Sequence, residues 1–125
     1  MRVTAMLVLV VGGVLIAPPA VAVADTTPPS APQQLRISGE FRGEAILRWD
    51  ASTDDSGVIY HYWVLVDGQQ RARPAATTYN IDTLVQLCRI TAGSHVITVQ
   101  AVDPSLNRSL PSNPVGVVVG SGIGS

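Results

Sequence analysis

The 125-residue chain has no lysine, one cysteine, one phenylalanine and few charges of any kind, with Asp, Glu and Arg together making up 14% of it. Each scarcity excludes something. Eight arginines stand against nine acids, for a net charge of -1, and they are spread along the chain. Without a basic stripe there is no electrostatic footprint for nucleic acid. The single cysteine, Cys88, has no partner in its own chain, so an intrachain disulfide is excluded and the apolar core must hold the fold. The two histidines, His61 and His95, are too few for a zinc site unless Cys88 and an acid converge with them, and their strand parities differ. No nucleophile motif surrounds Cys88, and no Arg-Gly-Asp triplet is present. The length excludes a two-domain enzyme with an interdomain cleft.

What is there begins with a leader. Met1-Arg2 gives a positive start, residues 3–24 carry no charge, and Ala17-Pro18-Pro19 interrupts the apolar run. Ala22-Val23-Ala24 then offers the small-x-small pattern that a signal peptidase cuts. Residues 1–24 are therefore expected to be a signal peptide cleaved after Ala24, with Ala20-Val21-Ala22 as a second possible cut. The glycine pair Gly12-Gly13 and the two prolines argue against an uncleaved membrane anchor, which needs about 20 continuous apolar residues. The remaining chain is expected to be secreted, touching a membrane only through the leader. Residues 25–32 form a Pro-rich extended lead-in, 33–119 the domain, and 120–125 a flexible Gly/Ser tail.

From residue 33 onward the hydrophobic period is two. Leu35 and Ile37 share one parity; so do Ala45, Leu47 and Trp49; Tyr60, Tyr62, Val64 and Val66; His95, Ile97, Val99 and Ala101; and Val115, Val117 and Val119. Turn residues separate these runs, and Asp67-Gly68 signals a type I′ hairpin because both residues tolerate positive φ. The pattern predicts an all-β antiparallel sandwich of about seven strands, with no amphipathic helix. Residues 77–81 are expected to be an edge strand and residues 84–87 a further strand.

The segments DTTPPSAP at 25–32, LRWDASTDDSG at 47–57, VLVDG at 64–68, GSHVITVQAVD at 93–103 and NRSLPSN at 107–113 follow one another in a recognisable order. In that order and spacing the chain resembles a bacterial fibronectin type III domain from about residue 25 to 119. The resemblance implies an immunoglobulin-like sandwich with Trp49 filling the space between two sheets. It also implies a secreted, non-catalytic interaction or spacer module. His95 stands where this fold commonly has a corner tyrosine, and its imidazole is expected to make a substitute bond. Bacterial domains of this family often accompany glycosidases, which leaves open an accessory, carbohydrate-binding role in polysaccharide degradation. A truncated piece of a larger secreted enzyme is a further alternative, since the tail has linker composition.

Three candidate sites remain. If Tyr62 and Val64 face inward, Trp63 faces outward with His61 and Leu65, and the neighbouring strand adds Thr98 and Gln100. An outward Trp on a sheet can stack on a sugar ring or anchor a cell-surface protein, against the commoner role of packing on an adjacent loop or standing as a tolerated surface aromatic. Asp54, Asp55 and Asp103 gather at one end as calcium candidates, against the commoner role of capping turns. Cys88 is expected to pack as a small apolar group, with an interchain disulfide as the alternative. Asn107-Arg108-Ser109 matches a glycosylation acceptor but reads more simply as a turn. No cofactor is expected, and the interior of so small a domain leaves no cleft for paired catalytic carboxylates.

Overall fold

The computed structural model describes residues 25–39 and 45–120, together with the backbone of two short strands within residues 9–16. Those two, β1 (Leu9–Val11) and β2 (Val14–Ile16), pair antiparallel with each other. The expected cleavage point after Ala24 and tail residues 121–125 lie outside the described residues. No helix among the described residues is long and apolar enough to cross a membrane.

Seven strands build two antiparallel sheets, as the alternation predicts. One sheet has the order β3 (Gln33–Ser38), β4 (Ile46–Asp50), β7 (Thr78–Asn80). The other has the order β6 (Gln69–Ala72), β5 (His61–Val66), β8 (Gly93–Val102), β9 (Val115–Val119). The core is the inward parity of both sheets. Leu47, Val64, Val99 and Ala101 have no exposed surface, and Trp49 is 3% exposed. Trp49 meets Tyr62 edge-on with ring centroids 5.4 Å apart, the arrangement that suits two aromatic quadrupoles. The Tyr62 hydroxyl accepts a hydrogen bond from the Ser52 N–H at 3.0 Å, so this core ring also pins the start of the following loop.

The stretch between β6 and β8 departs from expectation. Residues 84–87 are not a strand but part of α1 (Ile81–Cys88). Asn80 caps it: its side-chain oxygen accepts from the Thr83 N–H at 2.9 Å, and Asp82 lies in the first turn, where a negative charge suits the helix dipole. Ile81, Leu84, Val85 and Cys88 then recur at helical spacing on the face packed against the core. Arg89 ends the helix in the left-handed conformation, its N–H bonding the Val85 carbonyl. Over so short an apolar run, period two and helical spacing both fit, and the Asn cap decides for the helix. The strand count stays at seven because β6, polar except at Ala72, takes the place of the misassigned segment.

The Asp67-Gly68 turn joins β5 to β6 with both residues at positive φ, 52° and 83°. The β5–β8 ladder pairs His61 with Val102 and Val66 with Ile97. Loops 51–60 and 103–107 therefore lie at one end of the four-stranded sheet, and the Asp67-Gly68 turn lies at the other, with the start of β8.

Candidate functional site

On the outer face of the four-stranded sheet, β5 and β8 bring the predicted residues together. Trp63 stands opposite Gln100, and Leu65 opposite Thr98. Leu65 is itself buried, at 9% exposure, so it does not extend the accessible surface as the alternation alone implied. The Trp63 indole N–H donates to His61 Nε2 at 3.2 Å. That bond needs the ring nitrogen as an acceptor and so a neutral imidazole. Partial burial, with the Arg73 charge added, holds the His61 pKa below its ordinary value and agrees with this. The Arg108 guanidinium lies over the Trp63 ring, 4.5 Å from its centroid, in cation–π contact. Gln100 Nε2 donates to the Ser109 carbonyl at 2.7 Å. The four residues share a face, but much of their bonding capacity is directed at one another and at segment 108–109. Arg108 was missed as a contributor. Its signal was the short return of the chain after β8, which sets Arg108 in a bridge with Val102.

At the end formed by loops 51–60 and 103–107, the acids gather differently from expectation. Asp55 is exposed and stands outside the group. Asp25 joins Asp54 and Asp103 instead, and one carboxylate oxygen of each lies within 4.8 Å of the other two. The lead-in makes this possible. Pro29 and Pro32 are buried, the Ser30 N–H donates to the Thr53 carbonyl at 2.8 Å, and Asn107 Nδ2 donates to the Asp25 carbonyl at 2.8 Å. Asp103 is fully buried and accepts from both the N–H and Nδ2 of Asn107, each at 2.9 Å. Burial pushes the Asp103 pKa up, but these bonds outweigh it and hold the group below its usual value. For Asp25 the Thr27 N–H pulls the pKa down, while burial, the Asp103 carboxyl and the charges of Asp55 and Asp54 together push it above the usual range.

The opposite end carries His95. Its Nδ1 lies 2.6 Å from Asp67 Oδ2 and its Nε2 lies 2.7 Å from the Thr91 carbonyl, so acceptors face both ring nitrogens. Asp67 Oδ1 also accepts from the Val96 N–H at 2.9 Å. The hydrogen bond with Asp67, helped by the Thr91 carbonyl, raises the His95 pKa, and the same His95 bond, with the Val96 N–H, lowers that of Asp67. A shallow cavity of about 250 Å³ adjoins this pair, and among the described residues Asp67 is the only acid that lines it. Hydrolysis of a glycosidic bond by the usual route needs two carboxylates across a cleft. Cys88, half-buried, sits nearby with Sγ 3.2 Å from the Arg71 carbonyl.

No protein-family profile matches the chain. Among curated proteins it is similar to Chitinase A1 of Niallia circulans, with 37% identity over 94 residues. That alignment spans 74% of this chain but only 12% of the chitinase. Among solved structures, the central fibronectin-III array of RIM-binding protein matches at TM-score 0.51 and 17% identity, over 82% of this chain and 39% of that one. The Clostridium perfringens spore cortex lytic enzyme SleM matches at TM-score 0.51 and 19% identity, over 75% and 29%. At those identities the structural likeness speaks for the fold. With the five ordered segments of the sequence carried on a three-plus-four antiparallel sandwich, the chain has the fibronectin type III fold.

Proposed function

We propose that the chain is a non-catalytic accessory module of extracellular polysaccharide degradation, acting as a spacer or interaction unit and not on the bond that is cut. The observation that carries this is the 37% identity to Chitinase A1 over most of the present chain. Two further observations support it. The aligned part is a small fraction of the chitinase, and the interior here is filled by the domain's own core. The signal peptide expected in residues 1–24 supports an extracellular role.

Incubating the purified chain with soluble chitin oligosaccharides, insoluble chitin and peptidoglycan tests the reading. No released sugar is expected, and turnover that copurifies with the chain would overturn it. Retention on the insoluble glycans then separates interaction from spacing. Arg108 covers one face of Trp63, so the parent is expected to be retained weakly at most. Arg108→Ala uncovers that ring face and should increase retention if the outer sheet meets sugar, whereas Trp63→Ala should abolish it. Equal retention by all three chains assigns the binding to another surface.

A further inference from the structure

The group formed by Asp25, Asp54 and Asp103 differs from an ordinary acidic surface. Asp103 has no exposed surface. Each of the other two carboxylates spends one oxygen on local donors: Asp25 Oδ1 on the Thr27 N–H at 2.9 Å, and Asp54 Oδ2 on the Ser56 N–H at 3.1 Å and hydroxyl at 2.6 Å. Their remaining oxygens, Asp25 Oδ2 and Asp54 Oδ1, are buried from solvent; among the described residues neither has a hydrogen-bond donor, and Asp25 faces the Asp103 carboxyl. Carboxylate oxygen shielded from water without a donor or a cation is strongly unfavourable. Among the described residues the ion pairs are Arg36–Asp50 and His95–Asp67, and neither involves this group. Arg108, the nearest base along the chain to Asp103, is stacked on Trp63. Among the described residues, the one side-chain amide that reaches in, from Asn107, carries no charge.

We propose that Asp25, Asp54 and Asp103 bind a calcium ion. Calcium takes oxygen ligands at about 2.3–2.6 Å, so the oxygens around one ion are at most about 5 Å apart, and the 4.8 Å limit on this group fits that span. The donor set is all carboxylate, which suits a hard cation and not zinc. Calcium also tolerates irregular geometry completed by water, whereas magnesium demands a near-ideal octahedron. The three ligands come from three separate segments: the start of the lead-in, loop 51–60 and loop 103–107. An ion there fastens one end of a sandwich that has no intrachain disulfide. It adds stability by mass action, because the unfolded chain does not bring the three together.

The test uses the full chain, titrated with calcium chloride in a calorimeter and melted in EDTA and in 10 mM calcium chloride. One saturable site is expected, with a Kd on the order of 10⁻⁴ M, as for extracellular calcium modules. The melting temperature should rise by about 5 °C or more in calcium, and magnesium at the same concentration should do less. Asp54→Asn keeps an oxygen for Ser56 but removes one charge. It should melt at or above the parent in EDTA and lose more than half of the gain from calcium. Asp25→Asn gives the same reading should Asp54→Asn fail to fold. The absence of any saturable heat or melting shift in the parent up to 10 mM calcium overturns the proposal. An equal calcium gain in the parent and both variants overturns it as well, since the ion would then be acting elsewhere.

Discussion

The two ends of the β5–β8 ladder use carboxylates for the same local task and differ in what faces the leftover charge. Asp67 at one end accepts the N–H of Val96, and Asp103 at the other accepts the N–H of Asn107. Each thereby supplies an acceptor for a backbone N–H that the neighbouring turn leaves unpaired. Asp67 keeps half its side chain in water and has an imidazole 2.6 Å away. Asp103 is sealed from water, and its company is one neutral amide and two more carboxylates. A loop carboxylate thus satisfies the backbone equally well at either end, while its charge makes one end respond to protons and the other to a cation. With no intrachain disulfide, these polar ends and the apolar core between them are what hold the loops in place.

Trp49→Ala tests whether both ends ride on one core. The ring is nearly fully buried and packs on Tyr62, whose hydroxyl in turn anchors Ser52. Removing it should cost roughly 3–5 kcal/mol, a large share of a small domain's stability. Chemical denaturation should show both ends lost in one transition. A variant that melts like the parent would show that the ends are stabilised independently of this packing. Asn107→Ala acts on the acidic end alone. It withdraws the amide from Asp103 and from the Asp25 carbonyl, leaving buried acceptors unpaired. A loss of about 1–3 kcal/mol is expected, with the pH response of the other end unchanged. A loss below about 0.5 kcal/mol, the usual range for surface changes, would mean the acidic end is already loose.

How far this contrast could be read from sequence depended on the range of the forces involved. The sandwich was legible because alternation is local: Ala45, Leu47 and Trp49 share a parity, and all three are buried. The hairpin was legible because Asp67-Gly68 carries its own turn chemistry, and both residues adopt the positive φ it requires. The helix was not, because Leu84 and Val85 fit either period over so short a run, and only the Asn80 cap decided between them. The acidic group was half legible. Asp54 and Asp103 flank strands that pairing brings together, but Asp25 arrives through a proline-directed lead-in whose course depends on contacts with Thr53 and Asn107. The outer face was legible in membership and not in accessibility, since nothing local announces that Arg108 folds back onto Trp63.

The histidine end should show its difference as a step in the pH dependence of stability. The folded His95 pKa is raised, so its contribution is fully present below the unfolded value of about 6.5 and is lost as pH rises through the folded value. The folded Asp67 pKa is lowered, so its contribution is present above the unfolded value of about 3.9 and is lost as pH falls through the folded one. Both are present near pH 5.5, and raising the pH towards 9 removes the His95 share. His61, whose pKa is lowered, works in the opposite sense over part of that range. The useful quantity is therefore the difference between the melting curves of the parent and Asp67→Asn. The parent's advantage should shrink between about pH 6 and 9. A constant difference across that range would mean that His95 stays neutral and the two ends are alike.

The smallest effect is expected at Cys88, beside the same end. Its Sγ lies 3.2 Å from the Arg71 carbonyl, joining the last turn of α1 to β6. A serine hydroxyl can donate to that carbonyl at least as well as a thiol, and the position is only half-buried. Cys88→Ser should therefore shift stability by less than about 1 kcal/mol and leave the His95 step in place. The inward bond also keeps the sulfur turned towards its own chain, so the protein should migrate as a monomer without reductant. A dimer that reductant dissolves and Cys88→Ser abolishes would show the thiol bonded to a second chain. The histidine end would then be a joint between two molecules, and its pH step should change with protein concentration.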